Sequence, residues 1–126
     1  MTALLHSGTT FDHVLDAEGR IVPKLIAEQY HIPIREVGSL AGVRTHTLMR
    51  RDRMYSRKTQ QRLREMMNVM SRAEAMAGGH RMRAYAWYRS TPIPAFGNLT
   101  ASQLVHDGHG EAVMDYLNAL AEGGHE

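Results

Sequence analysis

Apolar residues recur at helical spacing along this chain in short segments separated by glycine or proline. Leu25, Ile26 and Tyr30 share one side of a segment from Ile21 to Tyr30, where Pro23 suits a first helical turn. His31-Ile32-Pro33 interrupts it, and from Pro33 the residues Ile34, Val37, Leu40 and Ala41 resume the spacing until Gly42 stops the helix. A second short helix is predicted from about Thr45 to Met54, with Leu48 and Met49 turned inward. Ser56 can cap a longer helix in which Leu63, Met66, Met67 and Met70 repeat at i, i+3, i+4 and i+7, and Gly78-Gly79 ends it. A methionine stripe of this spacing reads as core, although methionine also suits adaptable partner grooves.

His80 to Arg89 runs without a breaker and reads as another helix. In Thr91-Pro92-Ile93-Pro94 the residue before each proline is pushed into extended geometry, and Trp87 and Phe96, on either side, read as local core. Thr100-Ala101-Ser102-Gln103 has the form of a capping box, with Leu99 and Leu104 at the hydrophobic-staple positions. Gly108 and Gly110 break the helix that starts there, and Val113, Tyr116, Leu117 and Leu120 mark a last amphipathic helix ending at Gly123-Gly124. Residues 1–20 show no sustained period and read as an N-terminal arm with at most a short helical turn. No alternating run is flanked by hairpin signals, so the predicted fold is all-α, divided into the arm 1–20, a region 21–79 ending with the long helix, and a C-terminal module 80–126.

A chain of 126 residues is long enough to bury most of its apolar surface without staples. Cysteine is absent, which excludes disulfides and thiolate metal sites. No basic-then-apolar leader opens the sequence and no apolar run approaches bilayer length, so the expectation is a soluble cytoplasmic protein with no membrane partner.

The formal charge of +2 averages two opposed regions. From Arg44 to Arg64, eight basic residues face the single acid Asp52, a net +7 in 21 positions. From Ser90 onward there is no Lys or Arg, and Asp107, Glu111, Asp115, Glu122 and Glu126 give −5. Thirteen of the fifteen basic residues are Arg, the side chain best suited to bidentate phosphate and base contacts, which favours nucleic acid over a merely solvated face.

The basic block begins inside a pair of short helices, "IREVGSLAGVRTHTLMRR", with the dimensions of a helix-turn-helix. Gly38 stands where a small residue lets the helices approach, Gly42 at the turn and Val43 at the apolar plug. Alanine is commoner at the first of these places. The second helix would then present Arg44, Thr45, His46, Thr47, Arg50 and Arg51 to base edges and phosphates, with Arg53, Arg57 and Lys58 extending the DNA-binding set. Arg57, Lys58, Arg62 and Arg64 suit phosphate rather than bases. One helix-turn-helix reads too short a site for tight binding, so a homodimer is expected.

Together with this pair, "SRKTQQRLREMMNVMSRAEAM", "AWYRSTPIPAFGNLTASQLV" and "GHGEAVMDYLNALAEGG" make the chain resemble the Xre/MbcA/ParS family of type II antitoxins over Ile21 to Gly124. The most specific features are Trp87 at a helix end, Pro94 and Phe96 before Gly97, Thr100 with Leu104, Gly110 before Val113, and Leu117 and Leu120 before Gly123. Ala101 departs from the proline that many members carry there, without consequence at a first helical position. The resemblance implies an antitoxin that neutralises a RES-domain toxin, an enzyme consuming NAD or transferring its ADP-ribose, and that represses its own operon by binding operator DNA. It also implies that the C-terminal region covers the toxin's active-site entrance, which assigns toxin contact to Val113, Asp115, Tyr116, Asn118, Ala119, Leu120, Glu122, Gly123 and Gly124. An acidic, glycine-ended helix without positive charge suits a cationic pocket built for a dinucleotide's phosphates.

Other chemistry finds little support. His106 and His109 have no indicated third ligand and are separated by Gly108, and Ser102, His106 and Asp107 cannot converge as a triad from one turn. The Gly-rich pieces "AGGH" and "DGHGE" lack the strand-then-helix context of a phosphate loop. No catalytic activity, metal or cofactor is implied. The alternative to an antitoxin is a helix-turn-helix regulator whose C-terminal half serves only dimerisation.

Overall fold

A computed structural model describes residues 9–123, which form eight α-helices and two 3-10 turns, with no β-strand among the described residues. The helices are α1 (Pro23–Tyr30), α2 (Ile34–Ala41), α3 (Thr45–Met49), α4 (Arg51–Met54), α5 (Arg57–Met76), α6 (Arg81–Ser90), α7 (Ala101–His106) and α8 (Gly110–Gly123). The fold is all-α. No helix of the described residues is long and apolar enough to cross a membrane.

The 20-residue α5, about 30 Å long, is the central post. Ser56 caps it, its Oγ accepting from the Thr59 backbone N–H at 3.3 Å. Leu63, Met66, Met67, Val69 and Met70 are fully buried, so the methionine stripe is core. Helices α6, α7 and α8 pack along α5 with α2, and one continuous cluster joins Val37 and Leu40 of α2 to Val105 of α7 and Val113 and Leu117 of α8. Full burial of each such side chain contributes about 1.5–3 kcal/mol.

Several expectations need correction. The helix expected from Thr45 to Met54 is broken at Arg50, whose extended backbone (φ −103°, ψ 122°) separates α3 from α4. Only Leu48 is buried there; Met49, expected to face inward, is 65% exposed. Beyond Leu48 the sequence "MRRDRM" supplies no apolar stripe to hold a straight helix against the core.

The second half of the N-terminal segment is docked rather than a free arm. A 3-10 turn at Thr10–Val14 buries both of its end residues, and Glu74 of α5 accepts hydrogen bonds from the Thr10 backbone N–H (3.4 Å) and hydroxyl (3.1 Å). Leu15 bridges to Ile21, and the Gln60 side-chain amide clamps Ile21 through two 2.8 Å bonds, accepting from its N–H and donating to its carbonyl.

Around the prolines, Pro94–Phe96 makes a 3-10 turn closed by an Ile93–Leu99 bridge. The Thr100 capping box forms as predicted, with Gln103 N–H on Thr100 Oγ1 at 3.1 Å and Thr100 N–H on Gln103 Oε1 at 2.9 Å. Gly110 does not break a helix but starts α8, and its missing side chain makes room for Glu65, whose Cβ lies 3.1 Å from where a Gly110 Cβ would stand. The fully buried aromatic of α6 is Tyr88; Trp87, expected in the core, is only partly buried.

Candidate functional site

Two surfaces carry the residues singled out in the sequence, one beside the first turns of α5, at Thr59 and Arg62, and one beside its last turns, at Arg72 and Met76. The first is built on the α2–α3 pair. Gly42 turns the chain in a left-handed conformation (φ 77°), and its N–H and that of Val43 both donate to the Gly38 carbonyl, at 2.8 and 2.9 Å. Gly38 has no room for a side chain, because a Cβ there would overlap the Val43 carbonyl oxygen. The helices therefore meet backbone to backbone, and alanine could not stand in for glycine.

From this support, Arg44, His46, Thr47, Arg53 and Lys58 converge on one cleft of about 360 Å³. Arg44, His46, Arg53 and Lys58 are exposed, and Thr47 is half-buried. The break at Arg50 is what swings Arg53 towards this cleft while Arg51 faces a separate, largely apolar hollow with Met49 and Met54. Arg50 bonds Asp52 at 3.4 Å, and this hydrogen bond holds the Asp52 carboxyl below its ordinary range. Thr45 is half-buried, and Arg57 is exposed outside the cleft.

Arg62, expected on a phosphate, lines the same cleft but is engaged internally. Its guanidinium donates to the carbonyls of Val105 (3.1 Å), which also accepts from the Gly108 N–H, and His106 (3.0 Å) at the end of α7. Arg64 lies over the Phe11 ring at 6.0 Å.

The second surface is the outer face of α8. Asp115, Asn118, Ala119, Leu120, Glu122 and Gly123 are exposed, and Tyr116 is half-buried with its ring edge-on to Phe96 at 5.7 Å. Val113 must be removed from the contact set, because its side chain is fully buried and anchors the helix instead. Asn118 Oδ1 accepts from Arg72 Nε at 2.9 Å, tying the helix to α5. Gly124 lies outside the described residues. Beside this face, residues of α5, α6 and α8 enclose an open apolar cleft that includes Met76, Trp87 and Leu120. Sequence reasoning missed it; the available signal was that Leu120 prolongs the Val113–Leu117 stripe beyond the core.

The two surfaces are linked by direct contacts between their supporting helices. The Tyr88 hydroxyl donates to the Leu40 carbonyl at 2.8 Å, and Arg89 Nε bonds Glu36 Oε2 at 3.0 Å. Tyr85 stacks on Tyr30 with ring centroids 5.4 Å apart. His106 O lies 2.9 Å from where a Cβ on Gly42 would stand, so the turn of the α2–α3 pair rests directly on the end of α7.

Among the described residues no cluster of three or more His, Cys, Asp or Glu side chains is placed to hold a metal ion. The His106 ring approaches only its neighbour Asp107, at 3.4 Å.

No match was found among curated proteins or among solved structures. Residues 72–123, from the last turns of α5 through α8, match the family model of the antitoxin Xre/MbcA/ParS C-terminal toxin-binding domain.

Proposed function

We propose that this protein is an antitoxin of a type II toxin–antitoxin system that neutralises a RES-domain toxin and represses its own operon. In this reading the exposed face of α8 (Asp115, Tyr116, Asn118, Ala119, Leu120, Glu122 and Gly123) and Gly124 cover the toxin's active-site entrance. The observation that carries it is the match of residues 72–123 to a toxin-binding domain whose last helix presents Glu111, Asp115 and Glu122 to solvent with no Lys or Arg beside them in sequence. A surface of that charge complements a pocket built for the phosphates of a dinucleotide.

Operator DNA is read by the α2–α3 pair, with Arg44, His46, Arg53 and Lys58 grouped in one cleft and Arg50, Arg51 and Arg57 flanking it. Phosphate contacts from these side chains supply affinity and salt dependence, and Thr45 and Thr47 contribute at base edges. Two copies bind as a dimer within a larger complex with the toxin.

Co-expression with the RES-domain protein of the same operon tests this function. Restored growth and a complex that survives size-exclusion chromatography are expected; continued growth arrest with no complex would refute it.

A further inference from the structure

We propose that the cleft between the end of α5, α6 and the last turns of α8 receives an amphipathic segment of the toxin. Apolar side chains of that segment would cover Met76, Trp87 and Leu120, and a carboxylate would meet Arg83. This rests on the antitoxin reading above and adds a second contact to the α8 face.

The cleft, about 340 Å³, exists because two apolar stripes outlast their partners. Helix α8 buries Val113 and Leu117, but Leu120, the next residue on that stripe, is 47% exposed. Helix α5 ends at Met76, itself 41% exposed, just where α8 would need a longer neighbour to cover Leu120. Trp87 contributes a third large apolar surface to the same opening. Half-exposed apolar side chains gathered in one concavity mark a place where a partner removes area from water.

Arg83 identifies the kind of partner. It is exposed, it is the charged residue among those lining the cleft, and it makes no ion pair among the described residues. An apolar floor with one cation selects a segment carrying apolar side chains and an acid. A second copy of this chain fits less well, because a two-fold contact through the cleft would set Arg83 against Arg83. Operator DNA needs many cations, and those lie on the other surface. All the lining residues fall within residues 72–123, the segment matched by the toxin-binding family model.

The test measures the Kd of the full chain for the RES-domain protein of its operon, inactivated in its own active site, using wild type, Met76→Ser and Arg83→Glu. Neither position belongs to the α8 face, and melting curves establish that both variants fold. At least tenfold weaker binding is expected for each variant, with Arg83→Lys restoring most of the affinity. A photo-cross-linking residue at position 76 is expected to capture a toxin peptide containing Asp or Glu. Variants that bind as tightly as a binding-competent wild type would overturn the cleft proposal and leave the antitoxin reading intact, and cross-linking to a second copy would overturn it equally. A wild type that binds no RES-domain protein would remove both.

Discussion

The Tyr88 hydroxyl and the Leu40 carbonyl oxygen, 48 positions apart in sequence, form a buried 2.8 Å hydrogen bond that fastens the C-terminal segment, residues 72–123, to the first helix of the α2–α3 pair. Leu40 lies in the last turn of α2, where carbonyls lack an intrahelical partner, so the phenol takes the place of a cap. Tyr88→Phe keeps the ring and leaves that carbonyl unsatisfied. It is predicted to cost about 1–3 kcal/mol, read as a lower urea midpoint with an unchanged slope.

Tyr88 and Tyr30 also set the alkaline limit of the fold. Burial, the leading cause at both, raises their ionisation well above the ordinary tyrosine range, with the charge of Glu65 adding to it at Tyr88 and that of Glu74 at Tyr30. The folded state therefore binds these protons more tightly than the unfolded chain does. Their contribution is complete below about pH 10, where unfolded tyrosine begins to ionise, and is lost as pH rises beyond it. Phenolate absorbance is predicted to show these two of the five tyrosines ionising together with unfolding.

Gly38→Ala is predicted to destabilise the protein although alanine favours a helix by about 1 kcal/mol over glycine. The new Cβ would meet the Val43 backbone oxygen, which cannot move without opening the turn at Gly42. A net loss of about 1–3 kcal/mol in thermal or urea unfolding is expected. A gain would show that α2 and α3 are less tightly apposed than described.

Arg44→Ala and Lys58→Ala are predicted to weaken operator binding across sequences, each reducing the salt slope by about 1, while leaving toxin binding unchanged. Arg50→Ala has a smaller effect, because Arg50 is partly engaged by Asp52. Fluorescence anisotropy over a salt series makes the measurement. Parallel loss of DNA and toxin binding would contradict two separate surfaces.

What could be read from the sequence was what depends on near neighbours. The Thr100–Gln103 capping box and the buried stripe at Met66, Met67 and Met70 each follow from residues within two turns of one another. The docking of Thr10 onto Glu74 joins residues 64 positions apart, and no local pattern announces it. Trp87 and Tyr88 differ by one position on α6, so which of them enters the core is decided by how α6 lies on α5, with Tyr88 reaching on to Leu40 of α2. The basic site was legible in composition but not in grouping, because the break at Arg50 determines which arginines share a cleft. Val113 sits on the same last helix as the contact residues, but the apolar stripe that builds the helix buries it.

The most direct test of the central claim is NAD consumption by the RES-domain protein of the operon, titrated with the full chain and with a chain truncated after Leu120. The full chain is expected to stop turnover at stoichiometric ratio, whereas the truncated chain, still folded and still binding operator DNA, is not. Full inhibition by the truncated chain would contradict the placement of the inhibitory contact at the end of α8.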